Sequence, residues 1–183
     1  MKTAARVLVL ALAASAAQAG GFTLASADIA PGATIANHFV YKGFGCSGDN
    51  VSPALAWSGA PAGTKSFVLL VHDPDAPTGG AGWWHWIVYD IPATATGLAQ
   101  GAGTADGAKL PAGSHQASTD FGAPGWGGPC PPVGHGKHHY NFRLYALKVA
   151  KLDVGAGAGA ALVGYMANAN AIGQASFTGL YSR

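Results

Sequence analysis

The 183-residue chain contains no glutamate, two cysteines and two methionines, and charged residues make up only 10% of it. Each scarcity excludes something. Eight acidic and ten basic residues leave a formal net charge of +2 with histidines neutral, which is not the basic face a nucleic-acid binder needs. No cluster of Lys and Arg supports a polybasic membrane-surface mode. Two cysteines alone cannot supply a metal cage. The chain has no G-x-S-x-G, H-E-x-x-H or C-x-x-C. "GAGTADG" misses the dinucleotide-binding spacing. "GAGAGA" at Gly155 to Ala160 follows no apolar strand and lacks the Lys-Ser/Thr that grips phosphate and magnesium, so it reads as a connector. "NVSP" at Asn50 to Pro53 matches a glycosylation sequon only nominally.

What is present begins with a leader. "MKTAAR" is positively charged, "VLVLALAASAA" is a short apolar run, and Ala17 and Ala19 form an A-x-A site. This pattern reads as a secretory signal peptide cut after Ala19. The run is shorter than the roughly 20 residues a membrane span takes. Removing 19 of 183 residues leaves 164, which is read as a single domain over 20–183. A chain of that size buries roughly 70% of its unfolded surface. Losing Lys2 and Arg6 leaves eight basic against eight acidic residues, so the exported chain is neutral. A periplasmic or secreted location is oxidising, and Cys46 and Cys130 are expected to be bridged there.

Short apolar runs alternate with turn clusters. "FTLASADI", "TIANHFVY", "SFVLLVHD", "HWIVYDIP", "YNFRLYALKV" and "QASFTGLYSR" read as strands. The joins are rich in Gly, Pro, Ser and Asp. A helix is expected over 159–170, "GAALVGYMANAN". The fold class is mainly β with a short C-terminal helix. "SFVLLV" and "WWHWIVY" are apolar on both faces and belong in the middle of the fold.

Strand alternation then selects polar residues. Phe67, Leu69, Val71 and Asp73 share a row. His85 leads Ile87, Tyr89 and Ile91. His138 leads Tyr140, Phe142 and Leu144, while His139 and Arg143 face solvent. Asp73, His85 and His138 therefore each end an apolar row, and together would make a pocket with one carboxylate and two imidazoles. Pro74 and Pro77 stop the strand and stiffen the corner. "GGPCPP" would be a rigid wall beside His138. His38, His115 and His135 lie in loop-like contexts with no evident partner. A different reading of the same three residues is a zinc-dependent hydrolase, since Asp/His/His resembles a triad with an open position.

In chain order, "DNVSPALAW", "DPDAPTG", "GWWHWIVYDIP", "DFGAPGWGGPCPPVG" and "HHYNFRLYAL" resemble the phosphatidylethanolamine-binding protein family, specifically its bacterial Raf-kinase-inhibitor-like branch. The resemblance runs from about Phe22 to the C-terminus. It implies a β-sandwich around a large central antiparallel sheet and a small pocket for phosphate-like groups, such as a phospholipid head or a phosphorylated ligand. It implies no enzyme and no cofactor, but a binding protein that can modulate a kinase or protease. Carried over by position, the ligand-binding residues are Asp73, Asp75, Trp83, His85, Pro131, Pro132, His138 and Tyr140. Trp126 stands where the pattern leads one to expect tyrosine. The long C-terminal helix that closes the pocket in animal members has no counterpart here, so access is expected to be freer. No Lys or Arg lies in the pocket-forming motifs "DPDAP", "W-x-H", "GPCPP" and "H-x-Y", so anion binding is expected to rest on imidazolium, the tyrosine hydroxyl and backbone N–H groups. Asp73 is expected to keep a histidine charged. A scaffold with a vestigial pocket is the third alternative.

The leader generates the first prediction. Intact-mass measurement of exported protein should give a chain starting at Gly20. A mass that includes Met1 to Ala19 would refute it.

Overall fold

The structure, a computed structural model, describes residues 21–155 and 157–183. The expected signal peptide lies outside the described residues. The strands are β1 (Thr23–Ala25), β2 (Lys42–Gly43), β3 (Cys46–Ser47), β4 (Leu55–Ser58), β5 (Ser66–Asp73), β6 (Trp83–Pro92), β7 (Gly97–Leu98), β8 (His115–Gln116), β9 (His138–Leu147) and β10 (Ala171–Tyr181). The helix α1 (Ala160–Asn170) precedes β10. The fold is mainly β, as the sequence implies.

An antiparallel sheet ordered β10-β9-β5-β6-β8 dominates, and a small sheet ordered β1-β4-β7 packs over one of its faces. β5 is central, so its run of apolar residues is buried on both faces. Phe67, Leu69 and Val71 face the small sheet, joined by Trp57, Trp86, Phe142 and Phe177. Val68 and Leu70 face the other way, where Val163 and Ala167 of α1 cover them. Two apolar layers on opposite faces of one sheet require a strand without alternation.

One expected strand is absent. "TIANHFVY" makes a single parallel bridge, Thr34 to Leu180, at the edge of β10, and then turns through a 3-10 helix at Asn37–Phe39. Phe39 and Val40 are both buried, and their N–H groups bond locally to Ala36 O and Asn37 O instead of to a neighbouring strand.

β6 is irregular at two points. Val71 pairs with Trp86, but His72 pairs with Trp84, so His85 is an extra residue in the ladder. The second shift lies between Val88 and Ile91, where Asp90 has φ 56°. As a result Trp86, Val88 and Ile91 all reach the sandwich core, while Ile87 reaches the α1 side. The expected row His85, Ile87, Tyr89 and Ile91 is therefore incorrect. Strict alternation would send His85 toward α1. The bulge turns it onto the face of Trp86, where its ring meets Tyr140 edge-on at 5.0 Å between centroids.

The hairpin β2–β3 pairs only Lys42 with Ser47 and Gly43 with Cys46, too little to hold itself. A disulfide between Cys46 and Cys130, 84 residues apart in sequence, ties it to the segment before β9. Replacing both cysteines by serine should lower unfolding free energy by about 2–4 kcal/mol. Chemical denaturation checks this, and an unchanged midpoint would contradict it.

Candidate ligand-binding site

β5 stops at Asp73 because Pro74 cannot donate to the ladder. The Asp73 Oδ1 accepts the Asp75 backbone N–H at 2.8 Å, which closes the acidic corner as an Asx turn. Its Oδ2 accepts from His138 Nδ1 at 2.7 Å. Both partners are buried, Asp73 at 3% and His138 at 1% exposure. Breaking such a pair by removing one side leaves an uncompensated buried group, which typically costs about 3–5 kcal/mol. The other nitrogen of His138 meets His135 Nδ1 at 2.8 Å. His135, which the sequence left without a partner, is the outer end of a carboxylate–imidazole–imidazole chain.

β6 contributes His85. Trp84 N–H donates to Asp120 Oδ2 at 2.7 Å, which pins the 119–127 segment across the strand. His85 and Gly127 then pair through their backbones, and His85 Nδ1 donates to the Gly127 carbonyl. Asn50 clamps this wall from behind, donating to Trp126 O at 3.1 Å and accepting from Gly128 N at 2.8 Å. Gly127 is required, because a Cβ there would lie 2.2 Å from the Phe121 ring. Trp126 does not face the cavity. It is buried, donates to Phe39 O at 3.0 Å and stacks on Phe142.

These elements enclose a cavity of about 290 Å³. Asp73, Trp83, His85, Pro131, Pro132, His138 and Tyr140 all line it. Asp75 does not. Its carboxylate turns away to accept the backbone N–H and the ring Nδ1 of His139, each at 2.8 Å. Burial alone would raise the Asp75 pKa, but these hydrogen bonds outweigh it and hold the carboxyl below its usual value. Phe44, Phe121 and Thr78 also line the cavity and were not among the expected residues. Phe121 lay inside a recognised motif, whereas Phe44 arrives only through the β2–β3 hairpin. The remaining histidines also have partners: His38 bonds Asp49 at 2.7 Å, and His115 stands on β8 beside Tyr89.

The electrostatics differ from the sequence expectation. Burial pushes the His85 pKa down to about 4, against the opposing pull of the Gly127 carbonyl and Asp73. His85 is therefore neutral at pH 7 and is not an imidazolium. A carbonyl only accepts, so Nδ1 carries the proton and Nε2 presents a lone pair. That Nε2 is buried and has no hydrogen-bond partner among the described residues. The Tyr140 hydroxyl is likewise buried without a partner. Burial first, and Asp73 second, push its pKa upward, so it stays protonated. A cation does approach the rim. Arg183 donates from Nε to Pro131 O at 2.5 Å and from Nη2 to Phe44 O at 3.2 Å.

The zinc reading fits poorly. Both Asp73 oxygens accept hydrogen bonds, from His138 Nδ1 and from the Asp75 N–H, and the other His138 nitrogen meets His135, which leaves His85 Nε2 as the one unpaired ligand atom of the three residues. Among the described residues, no group of three or more His, Cys, Asp or Glu side chains is arranged to hold a metal ion.

The sequence profile of the phosphatidylethanolamine-binding proteins matches residues 25–182. This chain belongs to that family. It is 51% identical over 181 residues to the UPF0098 protein YbcL of Escherichia coli K12, covering 99% of this chain and 98% of YbcL. The crystal structure of YbcL superposes with a TM-score of 0.86 over 90% of this chain and 99% of that one. A lipoprotein-named relative, LppC of Mycobacterium tuberculosis, is 48% identical over 129 residues, which is 70% of this chain and 56% of LppC. Membership supports a binding protein in general, and the sandwich with its short C-terminal helix is the family fold.

The buried His85 predicts a pH dependence. The unfolded chain takes up this proton near the ordinary value of 6.5, but the native chain does not until about 4. The unfolded state thus holds more protons in that window, and stability falls as pH drops through it, by about 3 kcal/mol from this group. NMR of the His85 ring should show the neutral form at pH 5. A ring that titrates near its ordinary value would refute the burial argument.

Proposed function

We propose that this chain is a non-enzymatic binding protein, exported to the periplasm or beyond and folded as one domain over 20–183. Its cavity takes a small phosphate-like anionic group, from a phospholipid head or a phosphorylated ligand. Occupancy would then modulate a partner protein, in the manner of a kinase or protease inhibitor. The observation that carries this reading is the cavity floor. Two buried polar atoms, Tyr140 Oη and His85 Nε2, have no hydrogen-bond partner among the described residues, and both side chains belong to the lining of a cavity of about 290 Å³. Unpaired buried polar groups are costly, and a polar ligand relieves them. Asp73, Trp83, His85, Pro131, Pro132, His138 and Tyr140 form the binding surface, while Asp75 acts by fixing His139. The lipoprotein-named relative and the disulfide support the extracytoplasmic location.

Tyr140→Phe removes one ligand contact and, from the fold, only a weak pull of the hydroxyl on Asp73. It should weaken methylphosphonate binding by about 0.5–1.5 kcal/mol and leave stability nearly unchanged. His138→Ala should also weaken binding, whereas His139→Ala, on the opposite face of β9, should not. NMR titration measures all three. Equal affinity in the parent, Tyr140→Phe and His138→Ala proteins would refute the pocket assignment.

A further inference from the structure

The cavity holds more information than its sign. Its two unsatisfied buried atoms are of opposite hydrogen-bonding type. Tyr140, 0% exposed, is neutral and offers an O–H donor. His85, 2% exposed, offers only the Nε2 lone pair, because the Gly127 carbonyl consumes the ring's other position as a donor. The third polar group is the Asp73 carboxylate, whose two oxygens already accept from His138 and from the Asp75 N–H. A fully ionised oxyanion satisfies Tyr140 but sets its lone pairs against those of His85 and the charge of Asp73.

From this donor–acceptor pattern we infer that the pocket selects a phosphomonoester in its singly protonated form, R–O–PO3H⁻, over phosphodiesters and over proton-free oxyanions. The inference rests on the binding reading above and narrows it. A phosphoryl oxygen accepts from Tyr140. The phosphoryl O–H donates to His85 Nε2. The single remaining negative charge lies within the field of the rim guanidinium of Arg183, which is itself anchored on Phe44 O and Pro131 O. A phosphodiester has the same charge but no proton to give. The dianion of a monoester has lost that proton and meets Asp73 with twice the charge. An alkylammonium supplies donors for His85 but no acceptor for Tyr140. The favoured ligand is thus a phosphorylated side chain or metabolite, not a phospholipid head. No covalent step is involved, and the proton stays on the ligand.

The titratable groups around His85 come from every element packed against it: Asp73 and His72 on β5, His138 and Tyr140 on β9, and Asp120 on the crossing segment. Any of these can impose its own pH dependence, so the test uses a ratio of ligands. Methyl phosphate and methyl sulfate have similar shape, and below the second phosphate ionisation near pH ~6 they have the same charge. They differ by one O–H. NMR titration of the full exported chain at pH ~5 should give methyl phosphate about tenfold tighter binding than methyl sulfate, the size of one hydrogen bond to a buried acceptor. Dimethyl phosphate and glycerophosphoethanolamine should bind as weakly as methyl sulfate. The advantage of methyl phosphate should shrink as it becomes a dianion and loses that O–H, whereas a protein group whose charge acts on both ligands alike leaves the ratio alone. In His85→Ala the two ligands should converge. Methyl sulfate or dimethyl phosphate binding as tightly as methyl phosphate would overturn the proton requirement while leaving an anion pocket intact. Tighter binding of glycerophosphoethanolamine or methylammonium would overturn it in favour of an ammonium donor. Absence of binding by every probe at every pH would overturn both this inference and the reading beneath it.

Discussion

The site hangs on one buried hydrogen bond, from His138 Nδ1 to Asp73 Oδ2 at 2.7 Å. It joins the end of β5 to the start of β9, two strands that pair along their length in the central sheet. Neither group would be tolerated at this depth alone, since a buried charge without a partner shifts its protonation or destabilises the fold. Asp73 is held from its other oxygen by the Asp75 N–H, and His138 from its other nitrogen by His135. The carboxylate is therefore a fixed wall of the cavity and not a free base within it.

The opposite wall obeys a different constraint, close backbone approach. The segment that carries Phe121, Gly127 and Gly128 passes so near its neighbours that a side chain at Gly127 would strike the Phe121 ring, and one at Gly128 would lie 2.1 Å from the Phe39 carbonyl. Asn50 and Asp120 then fix its register on either side. A wall assembled this way is ordered before any ligand arrives, so little entropy remains to be lost on binding. The disulfide extends the same rigidity to the β2–β3 hairpin, which brings Phe44 over the cavity mouth.

Between these walls the bulge in β6 decides the chemistry. It rotates His85 from the α1 side to the cavity side, and the Gly127 carbonyl then dictates which nitrogen faces inward. Burial keeps the ring neutral. One extra residue in one strand thus converts what would be a cationic site into one that offers a lone pair.

Much of this was legible in the sequence. Alternating and continuous apolar runs located β5, β6, β9 and the final strand, because burial on one or two faces is written in residue order. Asp73, His138 and Tyr140 lie on one face of their strands as alternation expects, since β5 and β9 pair without a register shift up to His72 and Asn141. The motifs carried the family, and seven of the eight residues carried over from them line the cavity. Three things were decided only in three dimensions. "TIANHFVY" became a turn, with the Phe39 and Val40 N–H groups bonded to Ala36 and Asn37 inside the segment instead of to a neighbouring strand. Asp75 turned outward because His139 lay within reach across 64 residues of sequence. His85 sat where the motif placed it, but the alternation used to justify that was wrong, and its charge state was the reverse of the expectation. A bulge and a desolvated ring arise from how strands pair and what packs over them, and neither pairing nor packing is a property of local residue order.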